Sequence, residues 1–218
     1  MGRGYKMINL LKKDLMACFK SDIKSVIRLL IGVILFSLIL LPTIPIAVPF
    51  FISYIFILRS FQIDELNKCD YFFNSLPIEK EDMVYSKYLF STIVIMVSLI
   101  FTFVHSKVIN SIWKIEFFDL DSVLMIVILL LLLASILLPL MFKYGYKKSY
   151  VIVNLIIAIC IIVLISSKGT KDIYFSYIGE VDILRDKTLI IKSALAMIAY
   201  LVSMFISIKI YIKKEIAS

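Results

Sequence analysis

Between Arg59 and Tyr88 the chain carries a run of ionisable and aromatic side chains, RSFQIDELNKCDYFFNSLPIEKEDMVYSKY, between strongly apolar stretches. Asp64, Glu65, Lys68 and Asp70 lead into Tyr71, Phe72 and Phe73. Glu79, Lys80, Glu81, Asp82 and Lys87 follow a Ser75-Leu76-Pro77 break. Mixed charge interleaved with aromatics suits the docking of a soluble partner better than bond-making. Groups suited to catalysis are sparse elsewhere. The one histidine, His105, falls at the outer end of an apolar stretch, with no HExxH or paired-glutamate motif beside it. Asp119 and Asp121 fall in a connection expected to face water, and no nucleophile pairs with a base. Cys18, Cys69 and Cys160 are odd in number, far apart and without a CxxC pair, so neither a disulfide framework nor a zinc site is expected. With glycines only at 2, 4, 32, 145, 169 and 179, these residues cannot form a G-x-x-x-x-G-K-[ST] phosphate loop. The reading is of a protein that is not an enzyme and binds no cofactor or metal itself.

The elements that must position the charged island are membrane-seeking. The chain is 61% hydrophobic and 18% charged, with a mean hydropathy of +1.00, well above soluble domains that cover their surface with polar groups. The net charge of +8 collects at the ends of apolar stretches, the mark of membrane topology and not of nucleic-acid binding. A bilayer core takes about twenty helical residues. Four stretches fit: 88–106, 122–142, 150–166 and 188–208. From Leu29 to Leu58 no charge occurs, and about 45 Å of helix is too long for one span and short for two. Pro42, Pro45 and Pro49 interrupt it, so a hairpin is expected, with spans 26–41 and 44–58. Charge bias agrees. Six spans with both termini cytoplasmic place seventeen Lys/Arg inside and seven outside, against fourteen and ten for five spans. No small-residue cleavage site follows the first apolar stretch, so no cleavable signal peptide is expected.

Ahead of the first span, Ile8, Leu11, Leu15, Cys18 and Phe19 recur at three- and four-residue steps while Lys12, Lys13, Lys20 and Lys24 take other faces. This predicts an amphipathic helix over 7–24, lying in the cytoplasmic interface. A plain basic flank would share its charge. Within the island, Gln62 to Asn74 is helix-compatible and Ser75-Leu76-Pro77 breaks it. Asn74 or Ser75 can cap a second helix, with Pro77 in its first turn, that continues into the span near Tyr88. A solvated loop remains the alternative. On the outer side, Tyr174, Tyr177, Ile178, Val181 and Leu184 form one face of an interfacial helix over 170–187, with Trp113, Phe117 and Phe118 as an aromatic belt.

The stretch ELNKCDYFFNSLPIEKEDMVYSKYL resembles the cytoplasmic loop of the ABC type-2 permease family, in particular small six-span bacterial members. The match rests on Glu65, Lys68, Asp70, Ser75-Leu76-Pro77, Lys80, Val84 and Lys87-Tyr88, with Lys80 standing where an Arg is often found. Topology and length extend it over essentially the whole chain. Members of this kind include permeases exporting amphipathic peptides such as phenol-soluble modulins and antimicrobial peptides. The resemblance implies an all-α membrane protein: six transmembrane helices, an N-terminal interfacial helix, and a cytoplasmic helix-turn-helix coupling loop, 59–87, between spans two and three. It also implies an outer helical element before the last span. Glu65, Lys68, Asp70, Tyr71, Phe72, Ser75, Leu76, Pro77, Glu79, Lys80 and Lys87 become candidate ATPase-coupling residues. The partners implied are two copies of a cytoplasmic ABC ATPase, which bind the ATP and magnesium, and a second permease chain, identical or homologous. The setting is the bacterial cytoplasmic membrane. A secondary transporter is the main rival, weakened because span centres offer only Ser37, Ser53, Ser98, Ser135, Asn154 and Ser203. A membrane immunity or resistance protein is the other.

Overall fold

The computed structural model describes residues 3–20, 31–32, 47–69, 79–113, 120–166 and 183–213. Five α-helices fill these segments: α1 (Arg3–Lys20), α2 (Ala47–Leu66), α3 (Lys80–Trp113), α4 (Leu120–Ser166) and α5 (Ile183–Lys213). Apolar runs this long, with charge only near their ends, have helix as their one means of satisfying the backbone in lipid. Three helical segments among the described residues are long and apolar enough to cross a membrane: Lys80–Lys107, Val123–Ile156 and Ile191–Lys213. The expected first span lies outside the described residues except for Ile31 and Gly32, as does the stretch 170–182 of the expected outer helix.

Side-chain ties fix the directions of the helices. Ser60 meets Lys87 while Ser53 meets Ser98, so α2 and α3 are antiparallel. Tyr88 reaches Ser203 and Ser207 while Thr92 reaches Tyr200, so α3 and α5 are antiparallel too. α4 is two helices in one. Gly145 adopts φ +74°, ψ 176° inside it. The Ser149 hydroxyl then donates to the Leu140 carbonyl at 2.7 Å, a pair about 13.5 Å apart along a straight helix. The chain therefore folds back between 120–144 and 146–166. The helices overrun the expected span limits: residues 143–149 are helical apart from the Gly145 break, and α5 begins at Ile183. α3 runs unbroken from Lys80 past Tyr88, as the second island helix was expected to do, but it starts at Lys80 after a non-helical Glu79 and so does not hold Pro77 in its first turn.

The core lies between the first half of α4 and α5, whose contact is the most extensive among the described helices. Ile126, Leu130, Ala134, Leu137, Leu138 and Met141 make one fully buried stripe at helical spacing. Ala196, Tyr200, Ser203, Ser207 and Tyr211 make the buried stripe on α5. In lipid there is no hydrophobic drive between helices, so small residues, close packing and interhelical hydrogen bonds hold them together. One such bond has a specific cause. Pro139 lacks the N–H that would close the helix onto the Ser135 carbonyl. The Ser203 hydroxyl donates to that carbonyl instead, at 2.7 Å. With its proton committed, Ser203 accepts from the Tyr88 hydroxyl at 2.7 Å, and Ser207 donates to the Tyr88 oxygen at 2.8 Å. Asn154 joins two helices by accepting from the Tyr54 hydroxyl at 3.1 Å.

Pro139 and Ser203 are therefore energetically coupled. Ser203→Ala lowers stability by about 1 kcal/mol in the parent chain. In a Pro139→Ala background, where the helix closes on its own carbonyl, the same change costs less. A double-mutant cycle of thermal unfolding in detergent measures the difference.

Candidate functional site

The polar island is anchored at both its feet. At the first foot α2 ends in a turn, where the Asn67 amide donates to the Ile63 carbonyl and the Lys68 amide to the Glu65 carbonyl. Lys68 closes the turn at φ +49°, the left-handed position that commonly ends a helix. At the second foot α3 begins, with Glu81 and Asp82 in its first turn near the positive end of the helix dipole. Its entry is closed by the Asp82 amide donating to the Glu79 carbonyl at 3.0 Å.

Between the feet lies a buried charge cluster. The Lys87 ammonium, 3% exposed, donates to Asp14 at 3.0 Å, to Asp64 at 2.5 Å and to the Ser60 hydroxyl at 2.5 Å. Those three acceptors use all three of its protons, and the Ser60 carbonyl lies at 3.3 Å. The Phe61 ring covers the ammonium at 4.9 Å. Lys13 bridges the two acids, 2.6 Å from Asp64 and 3.0 Å from Asp14. Two lysines and two aspartates leave the cluster neutral, the condition under which buried charge is tolerated. Burial works against the Asp64 carboxylate, but Lys87 and Lys13 outweigh it and hold its pKa below the ordinary value. Beneath the cluster Cys18 is fully buried, and desolvation pushes its thiol up to about 11.

The cluster joins α1 to α2 and α3. Leu10, Asp14 and Cys18 form the buried stripe of α1, flanked by Leu11 and Leu15, which pack against Val48, Ile52, Phe56, Phe90 and Val94. Ile8, on the apolar face expected to lie in the membrane interface, is 60% exposed and packs on none of the other described helices. The face turned toward α2 and α3 is centred on Asp14.

The candidate coupling residues divide into three groups. Lys87 is buried in the cluster, so any part it plays passes through its neighbours. Glu65, Lys68 and Glu79 are exposed, and Lys80 is half-buried with its ammonium 3.3 Å from the Ile212 carbonyl at the end of α5. Asp70, Tyr71, Phe72, Ser75, Leu76 and Pro77 lie outside the described residues. Glu65 accepts from the Tyr146 amide at 2.7 Å and, more weakly, from the Lys147 amide at 3.4 Å. Sequence reasoning passed over Asp14, Lys13, Asp64, Ser60 and Phe61 as site residues. Asp14 carried a usable signal: it is the one acid of α1, spaced with Leu11, Leu15 and Cys18, where a charge needs a buried partner.

Two measurements test the cluster. Lys87→Ala, which leaves two carboxylates to Lys13 alone, destabilises by about 3 kcal/mol, and adding Asp14→Ala recovers part of that loss in a thermal-unfolding cycle. The depressed pKa of Asp64 makes its contribution complete above the unfolded carboxylate value of about 3.9 and lost as pH falls through the lower folded value. Melting temperature followed from neutral to acid pH should show that loss, and Asp64→Asn should remove it.

A family model described as ABC-2 family transporter protein matches residues 9–212, from within α1 almost to the end of α5. No curated protein matches the chain, and no solved structure does. A match of that extent, on an all-helical chain with three long apolar helices among its described residues, gives the assignment its breadth. The chain belongs to the ABC-2 transporter family and is a multi-pass membrane permease of an ABC transporter.

Proposed function

We propose that the chain is the transmembrane subunit of a bacterial exporter, driven by a separate cytoplasmic ABC ATPase that docks on the 59–87 loop. The observation that carries this reading is the anchoring of the loop. Its feet, Asp64 and Lys87, bind each other and α1, so a load on the loop reaches three helices at once. Six spans are proposed, with both termini cytoplasmic. Lys143, Lys147, Lys148, Lys209 and Lys213 are exposed at the same end of the bundle as the loop's feet, in keeping with the positive-inside rule. Since these residues hold no phosphate loop, two ATPase copies and a second permease, identical or homologous, complete the proposed assembly. The translocation path would form where the permeases meet. Amphipathic peptides are the first choice of cargo, because such molecules partition to the apolar faces a membrane subunit presents.

A proton-coupled secondary transporter needs an acid that exchanges its proton near neutral pH. Asp64, at the foot of the loop, is displaced the other way by its lysines.

Affinity purification of the solubilised chain from its native host tests the proposal. The expected result is co-purification of a Walker-motif ATPase, lost in Pro77→Arg while the chain still inserts in the membrane. ATP hydrolysis by the recovered complex should rise with an amphipathic peptide. Absence of any ATPase from the parent preparation overturns the reading.

A further inference from the structure

Glu65 and Gly145 stand 80 positions apart in sequence, at two different helix ends. The Glu65 carboxylate accepts the amides of Tyr146 and Lys147, the first two residues after the Gly145 break. These N–H groups begin the helix 146–166 and have no intrahelical acceptor, so the carboxylate acts as a cap supplied by another helix. A Cβ on Gly145 would lie 3.3 Å from Glu65 Oε2, and its φ of +74° disfavours any side chain there. The Glu65 carbonyl meanwhile accepts from Lys68, the residue that closes α2 at positive φ. Gly145 and Lys68 are the two positive-φ residues among the described ones, and Glu65 bonds at both turns.

We propose that Glu65 is a positioning residue linking the charged loop to the far helical pair: its carboxylate, seated on the Tyr146 and Lys147 amides beside Gly145, makes the turn of α4 follow the end of α2. The relay rests on reading the chain as an ATPase-driven permease, but it assigns Glu65 a role without contact to the ATPase. Displacement of the loop's first foot moves the carboxylate, and helix 146–166 moves with its cap.

The test uses the full chain in lipid nanodiscs, with and without the co-purified ATPase. Leu66→Cys and Lys148→Cys carry spin labels after Cys18→Ala, Cys69→Ser and Cys160→Ser. A single narrow distance distribution is expected. Glu65→Ala should broaden it, while Glu65→Gln, whose amide oxygen still accepts both N–H groups, should largely keep it. Gly145→Ala should behave like Glu65→Ala, and the double variant should be no worse than either alone. In the complex, peptide-stimulated hydrolysis per bound ATPase should fall about two- to tenfold in Glu65→Ala and stay near the parent value in Glu65→Gln. Weakened ATPase association in Glu65→Ala overturns the relay in favour of direct docking. An unchanged distance distribution overturns it outright. If the parent chain recovers no ATPase, the exporter reading fails, and the distances in the chain alone still decide whether Glu65 governs the turn.

Discussion

An ammonium group cannot be taken out of water alone, and the arrangement of the polar end of this bundle follows from where Lys87 was placed. Its position on α3 faces inward, one residue before the apolar run begins. Desolvating a charge costs several kcal/mol even after relaxation, so the site must bring anions to it. Asp64 arrives from the end of α2 and Asp14 from α1, and Lys13 restores neutrality. Replacing such a cluster with well-packed apolar groups is often neutral or stabilising, so its value here lies in geometry. Apolar side chains would let α1 slide on α2 and α3. Three directed bonds from one ammonium allow one register.

The same accounting of polar groups runs through the apolar part. A helix in lipid tolerates proline when a neighbour takes over the freed carbonyl. Ser203 takes over the Ser135 carbonyl left by Pro139, and Tyr88 and Ser207 complete the chain of hydroxyls. The Tyr200 hydroxyl, donating to the Tyr88 carbonyl at 2.8 Å, adds a further tie between α3 and α5. Each irregularity in one helix is answered by a polar side chain on another. Packing and backbone satisfaction therefore select the same neighbours.

Local pattern made much of this legible. Apolar runs and their charged edges gave helices in nearly the right places, and the Ser75-Leu76-Pro77 loop with its flanks led to the family. The acidic first turn of α3 and its continuity into the membrane followed from spacing alone. What stayed hidden was pairing. Asp14 and Lys87 are 73 positions apart, Glu65 and Tyr146 81 apart, and nothing local to either member names the other. Assigning Lys87 to the docking surface followed from its place beside a charged loop, whereas burial of the side chain depends on α1 returning across it. Ile8, which packs on none of the other described helices, keeps the place at the membrane interface that its apolar character suggested. Gly145 read as one glycine among six until the fold showed a reversal inside a single helical run.

The two links at the loop's feet differ in stiffness for a physical reason. Within the cluster Lys87 and Asp14 are cut off from water, so breaking their bond leaves charge in surroundings that solvate it poorly. The Glu65 cap lies at the surface, where water can replace each bond at small cost. A load carried along the loop therefore meets a stronger joint to α1 and a weaker one, the Glu65 cap, to the turn of α4. On the proposed relay α1, α2 and α3 move as one body under such a load, and the cap carries the start of helix 146–166 with them.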